Sequence, residues 1–101
     1  MVKNSHKYVT LYLSLVEKDV IEKYTNTPLP LIMKLKASIE QAQLRRKDVK
    51  KVLVTFTLKE LDALITHIAD KANQEDSLPK VQYILDRLFG RLATKYNENL
   101  S

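Results

Sequence analysis

Cysteine is missing from this chain of 101 residues. Disulfides, thiolate metal sites and thiol nucleophiles are thereby excluded together, and a reducing, cytoplasmic setting is expected. Glycine occurs once, at Gly90 inside a helical pattern. Phosphate-cradling turns need several glycines so that backbone amides can approach the ligand, so both nucleotide fingerprints are absent. Gly90 itself is expected to allow close helix packing. No run of eighteen apolar residues occurs, so no membrane span is expected. The opening stretch MVKNSHKYVTLYLSLVEKD alternates apolar with polar residues and lacks a small-residue cleavage site, which argues against a signal peptide.

Side chains for chemistry are equally scarce. Of the two histidines, His6 lies in a polar N-terminal stretch and His67 on a helix one turn from Asp70. No third histidine or cysteine completes a metal site. Ser5, Ser14, Ser38, Ser77 and Ser101 stand in no nucleophile-elbow context. Glu17 and Glu60 sit at capping positions, and the remaining carboxylates read as solvated helix faces, without the partly dry cleft that acid–base catalysis requires. No enzyme activity, cofactor or small-molecule ligand is expected.

Apolar residues, by contrast, make up 45% of the chain, enough for one compact domain over 1–101. In VTLYLSL, Val9, Leu11, Leu13 and Leu15 alternate with Thr10, Tyr12 and Ser14, the period of a half-buried strand. Ser14 then stands three residues before Glu17, the spacing of a capping box. The helix it starts should reach Tyr24, with Val16, Val20, Ile21 and Tyr24 near one face. TNTPLP interrupts it, and Pro30 suits the first turn of a second helix that reaches Arg46 and buries Leu31, Ile32, Leu35, Ile39 and Ala42.

The same order recurs 43 residues later. VLVTF, 52–56, is the second strand, and Thr57 with Glu60 forms a second capping box. The third helix should bury Leu58, Leu61, Leu64, Ile65, Ile68 and Ala72. Asp76 or Ser77 should cap a fourth helix with Pro79 in its first turn. That helix carries Val81, Ile84, Leu85, Leu88 and Leu92 inward and frays near Asn97. The fold expected is therefore mainly α with two short strands. Two strand–helix–helix units, about 8–46 and 51–97, pair their strands antiparallel across a pseudo-twofold axis over a four-helix core. An all-α four-helix bundle, with 9–15 absorbed into the first helix, is the alternative.

The order strand–helix–helix, twice, is similar in topology to a ribbon-helix-helix DNA-binding dimer written as one chain. That resemblance implies paired strands whose outward residues, Tyr8, Thr10 and Tyr12 with Lys51, Leu53 and Thr55, would face the major groove. The chain departs from the family in its long third helix and in lacking the usual glycine between helices. Its outward face is also poor in base-reading side chains.

Two surfaces stand out as candidates for binding. Tyr8, Tyr12 and Leu53 lie outward on the ribbon, where something must cover them; Met33, Tyr83 and Phe89 are further outward candidates, with Phe89 expected to turn into the core. The other surface is cationic. RRKDVKK supplies Arg45, Arg46, Lys47, Lys50 and Lys51 against Asp48 alone, most of the net charge of +5. Arg87, Arg91 and Lys95 form a ridge on the last helix, with Lys80 two turns earlier. A non-enzymatic protein-interaction or regulatory module, partnered with itself or another protein, is the function expected first. A nucleic-acid-binding protein that uses the basic patch is the alternative.

Overall fold

The computed structural model describes residues 8–100, so Ser5, His6 and Ser101 lie outside the described residues. Six elements follow in order: β1 (Tyr8–Ser14), α1 (Leu15–Tyr24), α2 (Leu29–Arg45), β2 (Lys51–Thr57), α3 (Leu58–Gln74) and α4 (Pro79–Glu98). The mainly helical reading with two strands holds, and the all-α alternative does not.

Why the first seven residues of each unit stay extended is local chemistry. Ser14 and Thr57 keep extended backbones and accept the amides of Glu17 and Glu60 at 3.0 Å each. The glutamates return the bond to the cap amides at 2.8 and 2.9 Å. Two orphan amides are satisfied at each helix start, which fixes the start at Leu15 and Leu58. Upstream, the alternation puts Val9, Leu11, Leu13 and Val52, Val54, Phe56 on one face of a strand, and all six are buried.

The strands pair antiparallel from Tyr8↔Thr57 to Ser14↔Lys51. Leu11 stands opposite Val54, its own counterpart at the 43-residue offset, so the pseudo-twofold axis passes through that pair. The ladder continues one step further, where the Leu15 amide donates to the Lys50 carbonyl at 2.9 Å. Odd-numbered residues of β1 are thus the hydrogen-bonded ones, and the backbone groups of Tyr8, Thr10 and Tyr12 point off the open edge.

The inner ribbon face and the four helices enclose a single apolar core. Phe56, Ile21, Leu61, Leu64, Ile68, Leu85, Leu88 and Leu92 are completely buried, and no polar or charged residue is buried among the described residues. Burial of each such leucine stabilises the fold by about 1.5–3 kcal/mol before chain entropy is counted.

The two units are unequal. α3 has 17 residues where α1 has 10, two extra turns, so α4 begins two turns later than the offset places it. With only 10 residues, α1 buries Val20 and Ile21, while Val16 and Tyr24, expected on the same face, are exposed. The cap expected at Asp76 or Ser77 is also absent. Leu78 occupies the N-cap without a side-chain hydrogen bond, since Pro79 at the first helical position has no amide to satisfy. Asp76 instead pairs with Lys71 at 3.0 Å, and Glu75 ends α3 in the left-handed region. Phe89 follows Leu88 around α4, off the buried stripe, and is exposed rather than turned into the core. A methyl group at Gly90 would meet nothing within 4 Å, so no close helix packing rests on that glycine.

Candidate functional site

Four pairs make up the outward ribbon face: Tyr8–Thr57, Thr10–Thr55, Tyr12–Leu53 and Ser14–Lys51. The Thr10 and Thr55 hydroxyls share a hydrogen bond at 3.0 Å. Side by side at the centre, Tyr12 and Leu53 each keep 53% of their surface exposed, and Tyr8 keeps 63%. Strand alternation forces this. Seven-residue strands that bury three odd or even positions must turn the others to solvent.

Both open edges of the ribbon are clamped by a cation from the other unit. Arg91 on α4 donates to the Glu17 carboxylate and to the Tyr12 carbonyl. Lys34 on α2 donates to Glu60 at 2.6 Å and to the Thr55 carbonyl at 3.2 Å. Glu60 corresponds to Glu17 and Thr55 to Tyr12 at the 43-residue offset, so the two clamps are pseudo-symmetric. Each closes a capping-box glutamate with a charge and occupies an edge carbonyl that would otherwise invite another strand. Sequence reading missed these clamps because the two cations do not share the offset; no local pattern marks them. Arg91 is consequently withdrawn from the ridge in which it was placed with Arg87 and Lys95.

Ion pairing sets the pKa shifts that arise. Partial burial works to raise the Glu60 carboxyl, but hydrogen bonds from Lys34 and the Thr57 amide prevail and lower it. On the far side of α1, Lys18 at 2.7 Å and Lys36 at 2.9 Å hold Glu22 down at about 2. Hydrogen bonding to Glu22 raises Lys18 in return. All three shifts favour the charged form, which suits ion pairs rather than proton transfer.

The remaining sequence candidates lie on the surface. Arg45, Arg46, Lys47, Lys50 and Lys51 are all exposed around the turn from α2 into β2, and Arg46 reaches Asp48 at 3.7 Å. Lys51 and Arg87 have no carboxylate within 4.0 Å among the described residues. Each lies over a tyrosine instead: Lys51 Nζ is 5.2 Å from the Tyr12 ring centre, and the Arg87 guanidinium 5.6 Å from that of Tyr83. Tyr12 thereby stands at the meeting of three open grooves. One of about 350 Å³ runs between it and Tyr83, lined by Lys51, Arg87 and Arg91. Another, of about 430 Å³, leads to Arg46 and Lys50. A third, of about 520 Å³, passes Leu53 and Leu92 towards Lys95 and Glu98.

His67 and Asp70 line a small polar cleft of about 160 Å³ with Tyr24, Asn26, Lys71 and Gln74. No group of three or more metal-ligating side chains forms among the described residues. No helix among those residues is long and apolar enough to cross a membrane. No family model, curated protein or solved structure matches the chain.

Proposed function

We propose that this protein is a non-enzymatic interaction module that self-associates through the outward face of its ribbon. The observation that carries this reading is the Tyr12–Leu53 pair, exposed at the centre of the face with Tyr8 beyond it. The ribbon's inner face is covered by the helices while its outer face stays open, and an exposed tyrosine is the kind of side chain enriched at interface centres. The occupant that fits is a second copy. Thr10, Thr55, Tyr12 and Leu53 carry no charge, so two faces can meet without opposing like charges at their centre. The one cation of the face, Lys51, lies at its end.

Light scattering on a sizing column tests the idea. The wild type should run as a dimer or larger species, and Leu53→Ser combined with Tyr8→Ser should return it to monomer mass with helicity retained. A wild type that stays monomeric at all accessible concentrations overturns the reading.

A second reading, nucleic-acid binding, is supported by a different observation. Arg46, Lys50, Lys51 and Arg87 line the two grooves that meet at Tyr12 and Lys51, with Asp48 and Glu17 as the acids among the lining residues. Retention on immobilised nucleic acid at low salt, lost at high salt, is the outcome it requires.

A further inference from the structure

We infer that the groove between β1 and α4, walled by Tyr12 and Tyr83 and flanked by Lys51 and Arg87, binds single-stranded nucleic acid. This inference builds on the second reading above; the groove shares Tyr12 and Lys51 with the ribbon face, whereas neither Leu53 nor Tyr8 lines it, so the variants that test the dimer leave the groove intact.

Three features converge on that ligand. Firstly, both cations lack a carboxylate within reach among the described residues, and each lies over an aromatic ring that orients it. The acid that does line the groove, Glu17, is already bonded by Arg91, so the pocket keeps an uncompensated positive charge. Secondly, the groove continues across Tyr12 and Lys51 towards Lys50 and Arg46, where Asp48 is the one acid against three bases, so the charge extends as a track rather than a point. Thirdly, the tyrosines along the track remain open, Tyr12 at 53% and Tyr83 at 60% exposure.

A single strand offers one phosphate charge and one flat base per nucleotide, which is the alternation the track presents. Duplex DNA supplies the phosphates but keeps its bases stacked away from the tyrosines. Its direct reading by the ribbon would fall to Tyr8, Thr10, Tyr12, Leu53 and Thr55, with Lys51 at the end as the one strong base-reading side chain. An acidic peptide would satisfy the cations and leave the open aromatic faces without a purpose.

The test is fluorescence anisotropy with the full chain and a labelled oligo-dT of about twenty nucleotides, longer than one site of this kind. Four phosphate-facing cations predict a log–log salt slope of about −3, and hence about fiftyfold weaker binding at 200 mM than at 50 mM salt. Lys51→Glu with Arg87→Glu should weaken binding at least about tenfold and flatten that slope. Tyr83→Ala, at an exposed site, should weaken binding about fivefold with the slope unchanged, a signature of lost stacking rather than lost charge. Circular dichroism confirms that each variant is folded.

A matched duplex bound as tightly as the single strand overturns this inference while leaving nucleic-acid binding in place. Failure to bind either overturns both. Displacement of the oligonucleotide by polyglutamate of equal charge as readily as by unlabelled oligo-dT assigns the groove to an acidic protein segment and overturns the inference. Binding that survives the Lys51 and Arg87 reversals places the site elsewhere, with the same result.

Discussion

Arg91 donates to Glu17, the same carboxylate that closes the capping box at Ser14. One glutamate thus starts α1, holds α4, and with the neighbouring Tyr12 carbonyl fixes the edge of β1. Arg91→Gln should therefore destabilise the protein by about 1–2 kcal/mol, the scale of a charge-assisted hydrogen bond that is partly shielded from water. Arg87→Gln, four residues earlier with no carboxylate partner, should stay within about 0.5 kcal/mol of wild type. Urea denaturation of both variants checks the contrast, and equal effects would remove the clamp from the account.

Gly90→Ala should stabilise the fold. The position lies inside α4, and an added methyl meets no neighbour. The gain is that of alanine over glycine in a helix interior, about 0.5–1 kcal/mol, or a rise of a few degrees in Tm. A loss on this substitution would mean that close packing at Gly90 exists after all.

Glu75 ends α3 with φ at 52°, a conformation that side chains with a Cβ resist. Glu75→Gly should raise stability by about 0.5–1 kcal/mol, because glycine occupies the left-handed position without steric conflict. Thermal melts read by circular dichroism decide it.

Acid should weaken the molecule in a defined window. Glu22 falls from the ordinary 4.5 to about 2 in the folded protein, chiefly through its hydrogen bond with Lys18, and Glu60 is lowered as well. A carboxyl with a depressed folded pKa contributes its stabilisation above the unfolded value and loses it as pH falls through the folded one. Stability should therefore begin to drop near pH 4.5 and continue down towards pH 2. Lys36→Met should raise the Glu22 value in a carbon-detected NMR titration; no movement would remove Lys36 from the cause.

Most of the fold was legible because its signals are local. Ser14 and Thr57 mark the helix starts through a hydroxyl and a glutamate three residues apart, and strand alternation names the buried face by itself. The apolar stripes of α2, α3 and α4 needed only their spacing. What the sequence could not reveal depends on tertiary reach. Arg91 reads as a member of a solvated ridge until α4 lies against β1 and Glu17 comes within bonding distance. Val16 and Tyr24 read as core until the shortness of α1 leaves nothing to cover them. Of the candidate surface, the outward side chains followed from period two. The meeting of Tyr12 with Tyr83 and Arg87 required knowing where α4 crosses the ribbon.

The crossed clamps bear on how the polypeptide could be divided. Each unit supplies the cation that completes the other's strand–helix junction, and the ribbon takes one strand from each. The covalent link between them is the turn Arg46–Lys50, exposed except for Val49, which packs against the core. Cleavage within that turn would yield two fragments, neither holding a complete sheet nor a neutralised glutamate at its helix start. Such pieces should be largely unstructured when made separately and regain helix on mixing, as a complementing pair whose recovery is second-order in concentration.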